Sequence, residues 1–184
     1  MTKRPFLTAF AACSALPLAA CGAETSEQAI ASEVDETRTL AALMSGDESL
    51  STSADLFDDA GLRPMFDGSV PYTVFAPTNA AYDGLNVELG SVDAGAARAA
   101  ILREHIVPGH LTREDIAAAI ASTGGAVEMQ TMGSGTLTFT GDAENLRVAS
   151  SDGSEASVSG TVLQGPNGAV FPVDGLLKTI DQPA

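Results

Sequence analysis

The sequence predicts an α+β domain in which helices pack against mostly antiparallel β-sheet. Three observations predict it. Apolar residues in the first half of the chain recur at helical spacing. In the second half they alternate with polar residues in short runs bounded by glycine-containing turns. Those runs follow one another too closely for crossover helices, so neighbouring strands there must pair antiparallel. The chain shows no internal repeat.

In order, Leu40, Leu43 and Met44 follow polar Thr37 and Thr39 and predict a helix over about 38–46. A second helix opens near Ser53 as N-cap, turns Leu56, Phe57 and Ala60 inward, and stops at Gly61. Pro71-Tyr72-Thr73-Val74-Phe75-Ala76 reads as a strand, which Pro77 ends because it has no N–H to give. Thr78 caps a helix that starts at Asn79, with Tyr82 and Leu85 on one face. Ser91 or Asp93 opens an Ala-rich helix to about Glu104 with Ala97, Ala100 and Ile101 inward. Thr112-Arg113-Glu114-Asp115 then starts another helix with a capping box. After Gly124-Gly125 the β runs are Val127–Gln130, Leu137–Thr140, Leu146–Ala149, Ala156–Ser159, Thr161–Gln164 and Ala169–Val173. Gly133-Ser134-Gly135, Asp152-Gly153 and Pro166-Asn167-Gly168 mark turns between them.

Composition narrows the function. The 184 residues include 9 Lys and Arg against 24 Asp and Glu, a net charge of −15, and 45% are hydrophobic. That suits one packed domain with a short appendage. The acid excess argues against nucleic acid and against anionic headgroups, both of which need a basic face. No run of about 18 or more apolar residues is present, so no segment reads as a membrane-spanning helix. Two cysteines allow at most one disulfide.

The N-terminus reads as a lipoprotein signal peptide over residues 1–20. Lys3 and Arg4 precede an apolar stretch from Phe6 to Ala20 that Thr8, Ser14 and Pro17 interrupt. Leu18-Ala19-Ala20-Cys21-Gly22 resembles the bacterial lipobox, whose cysteine is lipidated and begins the mature chain. The alternative is ordinary Ala-x-Ala-like cleavage with Cys21 incidental. Lipidation is favoured because Cys21 sits where the apolar run turns polar. Cleavage before Cys21 would remove Lys3, Arg4 and Cys13, leave a charge of −17, and commit the remaining cysteine to acyl chains. Thiol nucleophiles and thiolate metal sites are then excluded. Gly22 stands in place of the aspartate that resembles an inner-membrane retention signal, which favours the outer membrane of a bacterial envelope, facing the periplasm or the surface. Residues 21–36, with Glu24-Thr25-Ser26-Glu27-Gln28, read as a flexible acidic tether. The domain then occupies 37–184.

Three segments carry a family resemblance. Tyr72-Thr73-Val74-Phe75-Ala76-Pro77-Thr78-Asn79-Ala80-Ala81-Tyr82, Leu102-Arg103-Glu104-His105-Ile106-Val107-Pro108-Gly109 and Gly168-Ala169-Val170-Phe171-Pro172-Val173-Asp174-Gly175-Leu176-Leu177 resemble, in order and spacing, the first, central and C-terminal motifs of the fasciclin domain family. The resemblance covers one copy from about Thr37 to Asp181 and implies a fasciclin-like fold, helices packed with a wedge or sandwich of mostly antiparallel sheet. Its motif residues fall on Thr73, Phe75, Ala76, Pro77, Thr78, Asn79, His105, Pro108, Gly109, Val173 and Asp174. Glu104 stands where the central motif usually has the tyrosine to which adhesion is attributed in animal members. The usual histidine of the C-terminal motif is replaced near Phe171-Pro172.

Each residue of the first motif also has a local structural job, so the motif reads as a folding signature. His105 borders Ile106-Val107 and is expected to be a buried neutral ring, bonded to backbone or to Thr78 and Asn79, rather than a base or ligand contact. His110 reads as exposed, and no carboxylate at ligand spacing completes a metal site with the two histidines. Gly133-Ser134-Gly135 lacks the strand-to-helix setting of a nucleophile elbow. Asp58-Asp59 and Glu114-Asp115 read as solvated helix-end charges, and Asp152-Gly153-Ser154-Glu155 is too short for an EF-hand loop.

The N-terminal signal and the residue patterns predict a non-catalytic, lipid-anchored envelope domain with no catalytic residues, no cofactor and no metal, and the resemblance implies that it mediates adhesion to a surface protein or polysaccharide. The alternative it implies is a carrier of an apolar small ligand such as a carotenoid, in a groove formed by Ile116, Ile120, Met129 and Met132. A hydrolase would rest only on His105 and scattered serines.

Overall fold

Two strands almost without polar side chains form the centre of the molecule, β2 (Tyr72–Pro77) and β9 (Gly168–Val173). They pair in parallel, Tyr72 opposite Gly168 and Pro77 opposite Val173. Both are covered on two faces, which is why their sequences run nearly continuously apolar. The structure, a computed structural model, describes residues 32–83 and 95–179. The signal peptide, Cys21, most of the tether, Leu85 and the cap read at Ser91 or Asp93 lie outside the described residues.

Around that pair, β1 (Ser32–Val34), β8 (Val162–Gly165) and β3 (Ile106–Pro108) complete a five-stranded sheet of order β1-β8-β9-β2-β3. A second sheet of order β4-β5-β6-β7 is built from Ala126–Gln130, Thr136–Thr140, Arg147–Ser150 and Glu155–Ser157. Among the described residues two pairings, β1–β8 and β2–β9, are parallel and the other five are antiparallel. The α+β class and its mostly antiparallel sheets follow.

Helices cover the first sheet on one side. They are α1 (Leu40–Gly46), α2 (Ser51–Asp59), the short α3 (Arg63–Phe66), α4 (Asn79–Asp83) and α5 (Gly95–Arg103). Leu40, Met44, Phe57, Phe66 and Leu102 pack there against Val74, Ala76 and Val170. The other side meets the second sheet and α6 (Arg113–Thr123), where Phe75, Phe171 and Val162 pack against Ile116, Ile120, Leu137, Phe139 and Val148. One sheet thus separates two apolar layers, and alternate residues of β2 serve each.

At several places the local structure departs from what the sequence pattern predicts. The composition predicts a flexible tether through residue 36, yet Ser32–Val34 add an exposed edge strand in register with Val162–Gln164. Ser53 is not an N-cap: it lies inside α2, fully buried, donating to the Pro77 carbonyl at 2.6 Å and meeting the Tyr82 hydroxyl at 3.0 Å. Helix α5 turns Arg98, Ala99 and Leu102 inward, not Ala97 and Ala100. Strand β3 and helix α3 have no counterpart in the sequence pattern. The capping box at Thr112 is present, with the Thr112 hydroxyl accepting from the Asp115 amide and the Asp115 carboxylate accepting from the Thr112 amide.

Gly168 shows why the sheet needs a glycine at its centre. It begins β9 at φ 140°, and a Cβ there would overlap the Tyr72 carbonyl of the neighbouring strand.

Candidate functional site

The three motifs, far apart in sequence, become three adjacent strands: β2 lies between β9 and β3. Thr73, fully buried, donates to the Gly109 carbonyl at 2.8 Å and accepts from the Leu111 amide at 2.9 Å. Pro108 lies opposite Tyr72, and the Gly109 amide reaches the Pro71 carbonyl. The Phe75 amide donates to the His105 carbonyl at 2.9 Å. Ala76 and Pro77 run beside Pro172 and Val173, and the Thr78 amide donates to the Val173 carbonyl at 2.9 Å. Asp174 then bridges to the second sheet by accepting from the Ser157 amide at 2.6 Å.

Asn79 acts at a distance. Helix α2 has no side-chain cap from its own N-cap residue, and the Asn79 side-chain oxygen accepts from the Thr52 amide at 3.0 Å while its nitrogen donates to the Glu48 carbonyl at 2.8 Å. It therefore caps a helix that precedes it in the chain by more than a strand.

His105 is fully buried. Its Nδ1 lies 3.1 Å from the Ile101 carbonyl, so Nδ1 carries the proton and donates, and Nε2 accepts from the Leu177 amide at 2.9 Å. The partners are backbone groups, not Thr78 or Asn79. Burial pushes its pKa down from 6.5 to about 4, against the opposing pull of the Ile101 carbonyl, Glu104 and Asp152. At neutral pH the ring is an uncharged strut joining the end of α5 to the segment after β9. Both nitrogens are occupied, so no lone pair is left for base or ligand chemistry.

Glu104 has a role that its departure from the family pattern did not reveal. Its carboxylate accepts from the Thr131 hydroxyl at 2.7 Å, the Ser134 amide at 2.9 Å, the Ser134 hydroxyl at 3.1 Å and the Gly135 amide at 3.0 Å. Burial raises its pKa, but these four hydrogen bonds outweigh it and hold the carboxyl below its ordinary value. The turn read as Gly133-Ser134-Gly135 is thus wrapped around a carboxylate. A Cβ on Gly133 would overlap the Glu104 carboxylate, and one on Gly135 would lie 2.9 Å from Glu104 Oε2. Glu104→Gln is expected to lower the unfolding free energy by about 1–3 kcal/mol, because the amide NH2 cannot accept from the Thr131 hydroxyl or Gly135 amide. Urea denaturation at neutral pH measures it, and an unchanged midpoint would remove Glu104 from the turn's support.

The four residues read as an apolar groove do not share one surface. Ile116 and Ile120 are buried in the layer between the sheets, and Met129 packs partly buried against that layer. Met132 packs against the other layer, beside the helices. His110 is exposed. Among the described residues no group of three or more His, Cys, Asp or Glu is placed to hold a metal, and no helix is long and apolar enough to cross a membrane.

The sequence places Asn167 only in a turn. It is buried, its oxygen accepts from the Leu40 amide at 3.0 Å, and its nitrogen donates to the Phe66 and Gly68 carbonyls at 2.6 and 2.8 Å. One side chain thus joins the β8–β9 hairpin to the start of α1 and the end of α3. Nothing local to Pro166-Asn167-Gly168 distinguishes this from an ordinary turn asparagine.

The motif geometry has a counterpart in sequence comparison: the profile of the Fasciclin domain matches residues 48–179. The chain belongs to the fasciclin domain family. Among solved structures, the FAS1 domain pair of the insect cell adhesion molecule Fasciclin I is similar, with a TM-score of 0.61 and 15% identity over 78% of this chain and 52% of that one. This chain spans about half the length of that pair, and at such identity the likeness concerns the fold alone. No curated protein matches it. In this fasciclin domain, the three motifs are three adjacent strands of the five-stranded sheet, β9, β2 and the edge strand β3, and the hydrogen-bonded corners at their ends.

Proposed function

We propose that this fasciclin domain is a non-catalytic adhesion module of a bacterial cell envelope. It is anchored through lipidated Cys21 at the outer membrane and contacts an envelope protein or polysaccharide. The observation that carries the non-catalytic reading is His105: the histidine that a hydrolase would need as its base is fully buried, with both ring nitrogens engaged by backbone. The family and the shared fold with Fasciclin I, itself a cell adhesion molecule, support the adhesive reading. The basic start, short apolar run and Leu18-Ala19-Ala20-Cys21 junction support the anchor. A rigid domain on a membrane-held tether, displayed in many copies, would gain avidity from weak contacts.

Cys21→Ser tests the anchor. The variant is expected to leave the membrane fraction, to keep the thermal midpoint of the wild type, and to abolish attachment of displaying cells to purified envelope material. Intact mass of the wild type should show an acylated N-terminal cysteine. An unmodified Cys21, or cleavage at another bond, would remove the anchor from the proposal. A visible absorption band in protein purified from its native membrane would move the reading to an apolar-ligand carrier.

A further inference from the structure

The outward face of the second sheet carries a cavity of about 420 Å³, and we infer that it binds a neutral saccharide. The inference rests on the adhesion reading and names the class of partner. Its floor follows from strand register. Thr140, Arg147 and Ser157 stand opposite one another across β5, β6 and β7, and Thr138, Ala149 and Glu155 form the next row. Leu137, Phe139, Val148 and Ala156 fill the core, so alternation sends these two rows to the other face. Ala149, in the middle strand between a threonine and a glutamate, is the shortest side chain of its row and leaves the depression. Asp174 closes the rim, its position fixed by the Ser157 amide.

The wall chemistry selects the ligand. Arg147 presents guanidinium donors, Glu155 and Asp174 present carboxylate acceptors, and Thr140 and Ser157 hydroxyls serve as either. Among the described residues no carboxylate forms an ion pair with Arg147, so its donors face the cavity uncommitted. Sugar hydroxyls both donate and accept, and so can use every group of this wall at once. An acidic glycan would meet the field of a chain carrying a charge of −15. A cationic one would be drawn to Glu155 and Asp174, but its ammonium groups are donors only and would leave the Arg147 donors without an acceptor. The volume lies within the roughly 300–1,000 Å³ typical of small-molecule sites. The lining has no aromatic ring to stack on a sugar, so single contacts should be weak and gain from multiple display.

The test is amide NMR titration of the full chain in detergent with neutral glucan, mannan and galactan oligosaccharides, alongside oligogalacturonate and a chitosan oligomer. The expected result is saturable shifts at Thr140, Arg147 and Ser157 with at least one neutral series. Affinity should fall about tenfold in Arg147→Ala, where charged donors are lost. Ala149→Trp, which fills the depression from the exposed face, should abolish binding while leaving amide shifts elsewhere unchanged. No shift with any neutral series, shifts away from this face, equal binding by Ala149→Trp, or binding of charged oligomers alone would overturn the site. Cell attachment of the same variants separates the two proposals. Saccharide binding lost in Ala149→Trp with attachment intact upholds the site and places adhesion elsewhere. Attachment by a wild type that shows no neutral-glycan shifts overturns the site and spares adhesion.

Discussion

Phe75→Ala is expected to lower the unfolding free energy by about 3–5 kcal/mol. The ring is fully buried at the middle of β2, opposite Phe171 in the parallel neighbour. Its centroid lies 5.1 Å from those of Phe139 and Phe171. Phe171 belongs to the first sheet and Phe139 to the second, and each strand is fixed by its own ladder. The walls of the cavity therefore cannot close on one another, which places the cost toward the upper end of a large-to-small substitution. Urea denaturation with an unchanged m-value checks it. A midpoint close to that of the wild type would show that Phe75 does not bridge the sheets.

Lowering the pH from 7 to 4 is expected to remove about 3 kcal/mol of stability through His105 alone. Its folded pKa is depressed from 6.5 to about 4. Between those values the unfolded chain takes up a proton that the folded chain refuses. Stability is therefore full above about pH 6.5, falls as pH falls, and stops falling on this account below about pH 4. Protonation of Nε2 would also turn the acceptor of the Leu177 amide into a donor facing a donor. Glu104 adds in the same direction at lower pH: its depressed carboxyl contributes stability above its ordinary value and loses it as pH falls through the folded one. His105→Leu should start about 1–3 kcal/mol below the wild type at pH 7, because the Leu177 amide is left unpaired. It should then lose much less between pH 7 and pH 4. Parallel slopes in the two proteins would show that His105 does not titrate in the fold. Unchanged stability with abolished attachment, in both His105→Leu and His105→Gln, would move His105 from strut to functional group.

Much of the architecture was legible because it is written in local patterns. Thr136-Leu137-Thr138-Phe139-Thr140 alternates, and the strand it forms buries Leu137 and Phe139. Thr112 and Asp115 stand at capping-box spacing, and their side chains and amides bond reciprocally. The sequence pattern puts helix α5 one residue out of phase because Gly95-Ala96-Ala97-Arg98-Ala99-Ala100 has alanine on every side. Periodicity cannot choose a face when one small apolar residue occupies all of them. Ser53 has the chemistry of a cap, and only the neighbouring Pro77 carbonyl and Tyr82 hydroxyl show that it serves as a buried link instead.

By itself the sequence determined the class of the fold, the strands of the second half, the family, and the neutral buried character of His105. Each depends on residues close in the chain: an alternation, a cap, a run of eleven motif residues, a histidine among aliphatics. Tertiary structure alone decided that β2 and β9 run parallel at the centre, that Asn167 serves three backbone groups, and that Glu104 grips the Thr131–Gly135 turn. It also decided that Ala149 sits at the floor of a polar cavity. These are hydrogen bonds and close approaches between segments tens of residues apart. A polar side chain can satisfy itself with water or with any buried partner, so its own neighbours in sequence do not say which partner it meets.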